Sequence, residues 1–125
     1  MADFAIDGAN LSLDWLTGKT VSPPAGLFIK LHIGDPGFDG TQNPAVNTQR
    51  QATALGTAVS GVATTTIASS WTGVPATETY SHISIWDVVG PAGGQVIWAG
   101  PMSIPTAVTA GGDFDFPAGQ TIRHL

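Results

Sequence analysis

Hydrophobic and polar residues alternate along several short runs of this chain. A period of two places successive side chains on opposite faces of a β-strand, so each run predicts a strand. The clearest run is 26–33, which follows a double proline at 23–24 that excludes a helix there. Other runs predict strands at 49–55, 62–70, 79–88, 95–104, 106–110, 112–116 and 120–124.

The alternation also assigns side chains to faces. In the run 79–88, Ile83 and Ile85 point one way, whereas Tyr80 and Trp86 share the other face. The glycine-rich turn that follows predicts a hairpin with the next run. In the run 26–33, one face carries Leu27, Ile29, Leu31 and Ile33, and the other carries Phe28, Lys30 and His32.

Turn-forming residues separate these runs, because the 125 residues include 16 Gly and 9 Pro. Such frequent interruption leaves room only for short extended segments, which recur about every 8–12 residues in sandwiches and jelly rolls. We therefore predict an all-β fold, a single antiparallel β-sandwich of jelly-roll type. One domain, 1–125, is expected at this length.

The start of the chain has a helical period instead. Within 2–16, the apolar residues Phe4, Leu11 and Trp15 fall on one face of a helix, and a glycine follows as a stop signal. This helix with its turn, 1–18, is predicted to close one end of the sandwich. We predict that its three apolar residues form part of a contact with another protein.

The segment 34–48 is predicted to be a long contact loop, because loops of this length in compact domains usually have a function. Asp35, Phe38 and Asp39 are its candidate interface residues. The two aspartates have neither the spacing of an EF-hand nor its terminal glutamate. Asp-Pro-Gly and Asp-Gly are ordinary turn sequences, so we interpret these residues as turn formers.

Charge is scarce: only 10% of the residues are charged, against roughly a quarter in an ordinary soluble domain. We therefore expect much of the exterior to face other subunits. The net charge is −5, and the cations Lys19, Lys30, Arg50 and Arg123 are scattered singly, which argues against nucleic-acid binding. No apolar run approaches the roughly 20 residues of a membrane span, and the start lacks the basic segment of a signal peptide.

The residues that could support catalysis form no recognisable motif. His32, His82 and His124 lie in three different predicted strands, without the spacing of a zinc site. Asp113 and Asp115 are two apart on one strand, where a solvated or interface edge is the better interpretation than a glycosidase pair. There is no cysteine, nucleophile elbow or phosphate-binding loop. We predict no enzyme activity, no cofactor and no metal.

The strongest alternative to a purely structural role is carbohydrate binding, because the chain has four tryptophans in 125 residues. Aromatic rings on a sheet can stack on sugars, which makes Trp71, Tyr80 and Trp86 candidates for a carbohydrate platform. We favour the interpretation that they fill the core or anchor a subunit contact.

Several motifs in this order resemble the small virion structural proteins of tailed bacteriophages, both tail-fibre-like and head-accessory proteins. The resemblance implies a β-sandwich subunit, present in many symmetric copies and without catalytic activity. The chain departs from the pattern at Asn47-Thr48-Gln49, where relatives often have Gly-Gly-Tyr. The motifs are 23–31 (PPAGLFIKL), 34–41 (GDPGFDGT), Gln49-Arg50-Gln51, Trp86-Asp87, Gly93-Gly94, Gly112-Asp113 and Ala118-Gly119.

We accordingly predict a virion structural protein, with capsid decoration as the first hypothesis. Such a subunit lies on the particle exterior, is assembled in the host bacterial cytoplasm and binds the major capsid or tail protein. It also binds copies of itself, in a trimer if it sits at three-fold positions. The alternative is a tail-fibre or tail-tip domain that binds a receptor or carbohydrate. The absence of a coiled-coil or fibrous stretch favours a surface cap.

Overall fold

The computed structural model of the protein describes residues 3–123. Within that range, nine strands and one helix follow one another. The elements are β1 (Asp3–Phe4), α1 (Ile6–Leu16), β2 (Leu27–His32), β3 (Gln51–Thr53), β4 (Val62–Thr64), β5 (Ser69–Trp71), β6 (Glu78–Trp86), β7 (Val96–Val108), β8 (Phe114–Phe116) and β9 (Thr121–Arg123).

The strands form one main sheet and two ribbons. The main sheet is antiparallel with the order β1-β7-β6-β2-β3, and β4 pairs with β9 while β5 pairs with β8. Ile29 and Ile83 of the main sheet share one hydrophobic cluster with Trp71, Phe114 and Ile122 of the ribbons. The ribbons are therefore the second layer, which covers the apolar face of the sheet. The predicted all-β sandwich is confirmed.

The predicted faces of β2 are correct in the middle of the strand and wrong at its end. Ile29 and Leu31 are fully buried, as the alternation predicts. Ile33 was predicted on the same face, but it lies one residue beyond β2 and is half exposed. Its N–H donates to the Asn43 carbonyl, because the chain has already turned into the 34–48 loop.

The face prediction for β6 is wrong at Tyr80. A register shift in the β6–β7 pair, between Tyr80 and His82, interrupts the alternation. Tyr80 therefore points into the same core as Ile83 and Ile85. Trp86 packs in a second cluster, on the other face of the sheet. Tyr80 and Trp86 consequently do not share a face.

Two predicted strand boundaries also change. β7 continues without a break to Val108, so 106–110 is not a separate strand. The segment 62–70 instead divides into β4 and β5, which belong to different ribbons. A strand exists only where a partner lies alongside it, and the Thr- and Ala-rich sequence carries too weak a pattern to show where that happens.

The helix begins later than predicted, because residues 3 and 4 pair with β7 as a short edge strand. The predicted helix over 2–16 is therefore shortened to Ile6–Leu16. Its predicted end is confirmed: Gly18 has a φ of 87° and donates its N–H to the Trp15 carbonyl. Phe4, which was predicted on the helix, belongs to β1.

Candidate interaction surfaces

Helix α1 is held against the main sheet by two contacts. Gly8 is buried, and a Cβ at this position would collide with the Ile97 carbonyl of β7. The Asp7 carboxylate accepts the N–H of Val96 at 2.8 Å between N and Oδ2. Only glycine permits such a close approach between the two backbones. The inner side of the helix is thus fixed at β7.

The outer side of the helix is apolar and exposed. Leu13, Trp15 and Leu16 are 59%, 69% and 70% exposed, and the helix carries no lysine or arginine. A surface helix normally directs polar and charged residues to water. An open groove of about 460 Å³ lies between this side of the helix and the following segment. Its lining comprises Phe4, Leu11, Ser12, Trp15, Leu16, Val21 and Pro23.

The three helix-face candidates therefore come together, although for a different reason from the one predicted. Leu11 and Trp15 belong to α1, whereas Phe4 reaches the same groove from β1. Phe4 and Leu11 are partly buried, and Trp15 is the exposed member.

The 34–48 loop is attached to the body at several points. The Glu78 carboxylate accepts the N–H groups of Val46 and Asn47, and the Ala45 N–H donates to the Leu31 carbonyl. Gly40, with a φ of 69°, packs so closely on β7 that a Cβ would lie 2.6 Å from the Val96 side chain. The loop is therefore part of the folded body.

Asp35 and Asp39 form turns within this loop, as interpreted from the sequence. The Gly37 N–H donates to the Asp35 carboxylate, and the Thr41 N–H donates to that of Asp39. Each hydrogen bond stabilises the ionised form and lowers the pKa of its carboxyl group. Both side chains are exposed and belong to the folding of the loop.

Phe38 is the candidate in this loop that exposes an apolar side chain, with 51% of it accessible. Its carbonyl accepts the N–H of Ile6, the first residue of α1, at 2.9 Å. This bond satisfies one of the free N–H groups at the start of the helix. The two predicted contact segments are thus neighbours.

The three candidates for a sugar platform are buried. Trp71 and Tyr80 have no exposed surface, and Trp86 is 7% exposed. Trp71 and Tyr80 both pack against Phe114 in the core, at ring distances of 5.6 and 5.1 Å. None of these three rings offers a face to a ligand, because all three are buried.

Trp86 is covered by Arg50, an arrangement that the sequence did not predict. The guanidinium carbon lies 4.2 Å from the centre of the Trp86 ring, and Nη1 donates to the carbonyls of Val88 and Gly93. Arg50 is 4% exposed, so this cation is part of the packing. No local motif signals the contact, because the residues come from β6, its hairpin and the end of the loop.

His32 connects the sheet to the 34–48 loop through a defined chain of hydrogen bonds. Nδ1 lies 2.8 Å from the Gln42 carbonyl oxygen, which can only accept, so Nδ1 carries the proton. Nε2 then accepts from the Ser84 hydroxyl at 2.7 Å, and Ser84 accepts from the Trp86 indole. Burial lowers the pKa of His32 to about 4, so the ring is neutral.

The remaining candidates for chemistry do not converge. His82 pairs with His32 across neighbouring strands, and His124 lies outside the described residues. Asp113 accepts the Gly73 N–H, while Asp115 projects from β8 into solvent. Within residues 3–123, no three histidine or carboxylate side chains are grouped as metal ligands would be. The same range contains no helix with the length and hydrophobicity that crossing a bilayer would require.

A comparison with protein-family models gives one match over residues 6–123, to the family described as podophage GP4 fiber I protein gp80. The chain belongs to this family. The match covers the helix and nearly every strand, and it confirms the resemblance to virion structural proteins of tailed phages. The protein is therefore a phage fibre-family structural protein and a virion component. No curated protein matches the sequence.

Proposed function

We propose that this protein is a non-enzymatic structural subunit of a phage fibre, held in place through the outer side of α1. The observation that carries the proposal is the exposed apolar side of a helix in a chain whose family is described by a fibre protein. An apolar surface of an adjoining fibre protein is the occupant that suits a groove lined by Leu11, Trp15 and Leu16.

The family favours the tail-fibre alternative over the capsid decoration that we predicted first. We therefore propose a position on the virion exterior, within a fibre. A subunit that binds only the assembled fibre stabilises it by mass action, because its binding free energy is added to that of the assembly.

The use of the polar groups supports a role without turnover. Both ring nitrogens of His32 take part in structural hydrogen bonds. The Glu78, Asp35 and Asp39 carboxylates accept backbone N–H groups. A general acid or base needs a free position from which to exchange a proton with a substrate. These four side chains are therefore engaged in hydrogen bonds that hold the fold.

Incorporation into particles tests the proposal. The double variant W15Q/L16Q makes the outer side of α1 polar, and we expect its amount in purified virions to fall by at least about tenfold. The matched control is I104Q, because Ile104 is 75% exposed but lies in β7. Normal incorporation of W15Q/L16Q, or an equal loss with I104Q, would refute the role of α1.

A further inference from the structure

Nearly every carboxylate of the protein has a partner within its own fold. All nine Asp and Glu residues lie within 3–123, and eight of them accept a hydrogen bond. Asp115 is the ninth, and its side chain has neither a hydrogen bond nor an ion pair with any residue from 3 to 123. The eight with partners are Asp3, Asp7, Asp14, Asp35, Asp39, Glu78, Asp87 and Asp113.

Lys30 is a partly buried cation without a partner in the part of the chain that the structure describes. Lys19 pairs with Asp14 at 3.3 Å, and Arg50 donates to two carbonyls. The Lys30 ammonium group has no hydrogen bond or ion pair within residues 3–123.

The surroundings of Lys30 make an unpaired charge costly. The side chain is partly buried beside Ser84, its partner on β6, and near Arg50, which lies just before β3. Burial and then the charge of Arg50 lower the pKa of Lys30. The nearby charge of Asp87 acts on Arg50, but no carboxylate within residues 3–123 pairs with Lys30. A carboxylate from outside is therefore the complement that this position lacks.

Lys30 and Asp115 lie on opposite outer faces of the sandwich. Ile29 and Leu31 point into the core, so Lys30 between them points away from it. Phe114 and Phe116 likewise point into the core from the other layer, so Asp115 points outward there. The two charges therefore cannot meet within one molecule, but they can meet between two.

We infer that copies of this chain associate head to tail, with the uncovered part of the main sheet around Phe28, Lys30 and Ala52 against the outer face of the β5–β8 ribbon around Asp115. The contact uses different surfaces on the two copies, so every copy retains one free face of each kind. Such a heterologous contact forms a ring if the rotation closes and a filament if it does not. The inference rests on the proposed function, because repeated addition of identical subunits suits a fibre.

Arg123 is the competing cation, and its position argues against it. Its side chain has no partner within residues 3–123 either, but it is exposed on β9, which belongs to the same layer as Asp115. Asp115 is exposed as well, and a pair between two exposed side chains gains little, whereas Lys30 is partly buried. An Asp115–Arg123 contact would join two ribbon faces and leave Lys30 uncompensated.

Charge reversal and its rescue test the inference on the purified full chain. Sedimentation equilibrium at fixed ionic strength gives the dissociation constant for self-association. We expect K30E and D115K each to raise it by about tenfold, because each opposes two like charges. The double variant K30E/D115K restores the attraction with the signs exchanged, and we expect a dissociation constant within about threefold of the original.

Matched controls separate this contact from general effects of charge. Lys19 and Asp14 form an exposed pair on another part of the surface, so K19E and K19E/D14K make the same charge changes and should leave association unchanged. K30M keeps the aliphatic stem without the charge and should also weaken association. Circular dichroism confirms that each variant is folded.

Several results would overturn the inference. These are a wild-type chain that stays monomeric up to about 1 mM, single reversals without effect, or a double variant that fails to recover. Equal weakening by K19E would also overturn it, and so would loss of association in R123E with no loss in K30E. The assay uses no particles, so its failure is distinguishable from failed incorporation of W15Q/L16Q.

Discussion

Helix α1 and the 34–48 loop are neighbours, yet they present different surfaces to solvent. The loop satisfies its polar groups internally, through Glu78, His32 and its own aspartates. The helix is fixed at its inner side and leaves Leu13, Trp15 and Leu16 uncovered. Loop length alone is therefore weak evidence for a contact surface, and the contact role of the 34–48 loop stays a prediction. Exposed apolar surface is the better indicator of a contact, because its exposure to water is unfavourable and a bound partner covers it.

Disrupting the contact between α1 and β7 should reduce the stability of the protein more than any change to the loop or to the outer side of the helix. In G8V, the new side chain would collide with the Ile97 carbonyl, so the helix must move away from β7. We expect a loss of at least about 3 kcal/mol in the free energy of unfolding, measured by urea denaturation. The control G18A meets no neighbour and should cost about 1 kcal/mol, because its φ of 87° strains a non-glycine residue. If G8V and G18A reduced the free energy of unfolding equally, the close approach of Gly8 to Ile97 would not be what holds the helix in place.

Acid should destabilise the protein through His32, which connects the sheet to the 34–48 loop. The pKa of His32 is about 4 in the fold and about 6.5 in an unfolded chain, so the unfolded state binds more protons between these values. The free energy of unfolding should fall by up to about 3 kcal/mol as the pH drops from 6.5 to 4, with little further loss from this group below that. Protonated Nε2 would face the Ser84 hydroxyl, which already accepts from Trp86.

Denaturation of the wild type and of H32Q at several pH values tests this. In H32Q the free energy of unfolding should depend less on pH, because the glutamine amide does not titrate. His82, whose pKa is also lowered by burial, and the nearby charge of Lys30 remain in the variant and account for the residual slope. An unchanged slope in H32Q would assign the pH dependence to other groups.

Weakening the anchor at Glu78 should cost less stability, and the change should be confined to the 34–48 loop. Its carboxylate accepts the N–H groups of Val46 and Asn47, and E78Q leaves a single, neutral acceptor oxygen. We expect about 1–2 kcal/mol of lost stability and faster hydrogen exchange at these two amides. The Ile6 amide should keep its protection, because its acceptor is the Phe38 carbonyl. Uniformly faster exchange would contradict a local anchor.

Substitutions on the outer side of the helix should change the stability least. Trp15 is 69% exposed, so W15Q should change the free energy of unfolding by less than about 0.5 kcal/mol. The buried W71Q is the comparison, because loss of a core tryptophan should cost at least about 3 kcal/mol. A large cost for W15Q would show that the ring is needed for the fold rather than for a partner.

The sequence alone was sufficient for the fold class and for the local turns. Alternation in 26–33 and the frequent turn residues predicted strands in an all-β fold, and the helix ended just before the predicted glycine. Asp35 and Asp39 formed the turns that their local sequences favour, since turn chemistry depends on neighbouring residues. Trp15 was correctly placed beside Leu11 because helical spacing brings those positions together.

Only the tertiary structure decided which side chains meet across the fold. A register shift in the β6–β7 pair accompanies the turn of Tyr80 into the core, and a strict period of two cannot predict such an irregularity. The pairing of β1 with β7 replaced the first turn of the helix, because a free sheet edge offers hydrogen bonds that helix propensity does not include. The placement of Lys30 beside Arg50, with Asp115 on the opposite face, likewise depends on strand register and layer, which are long-range properties.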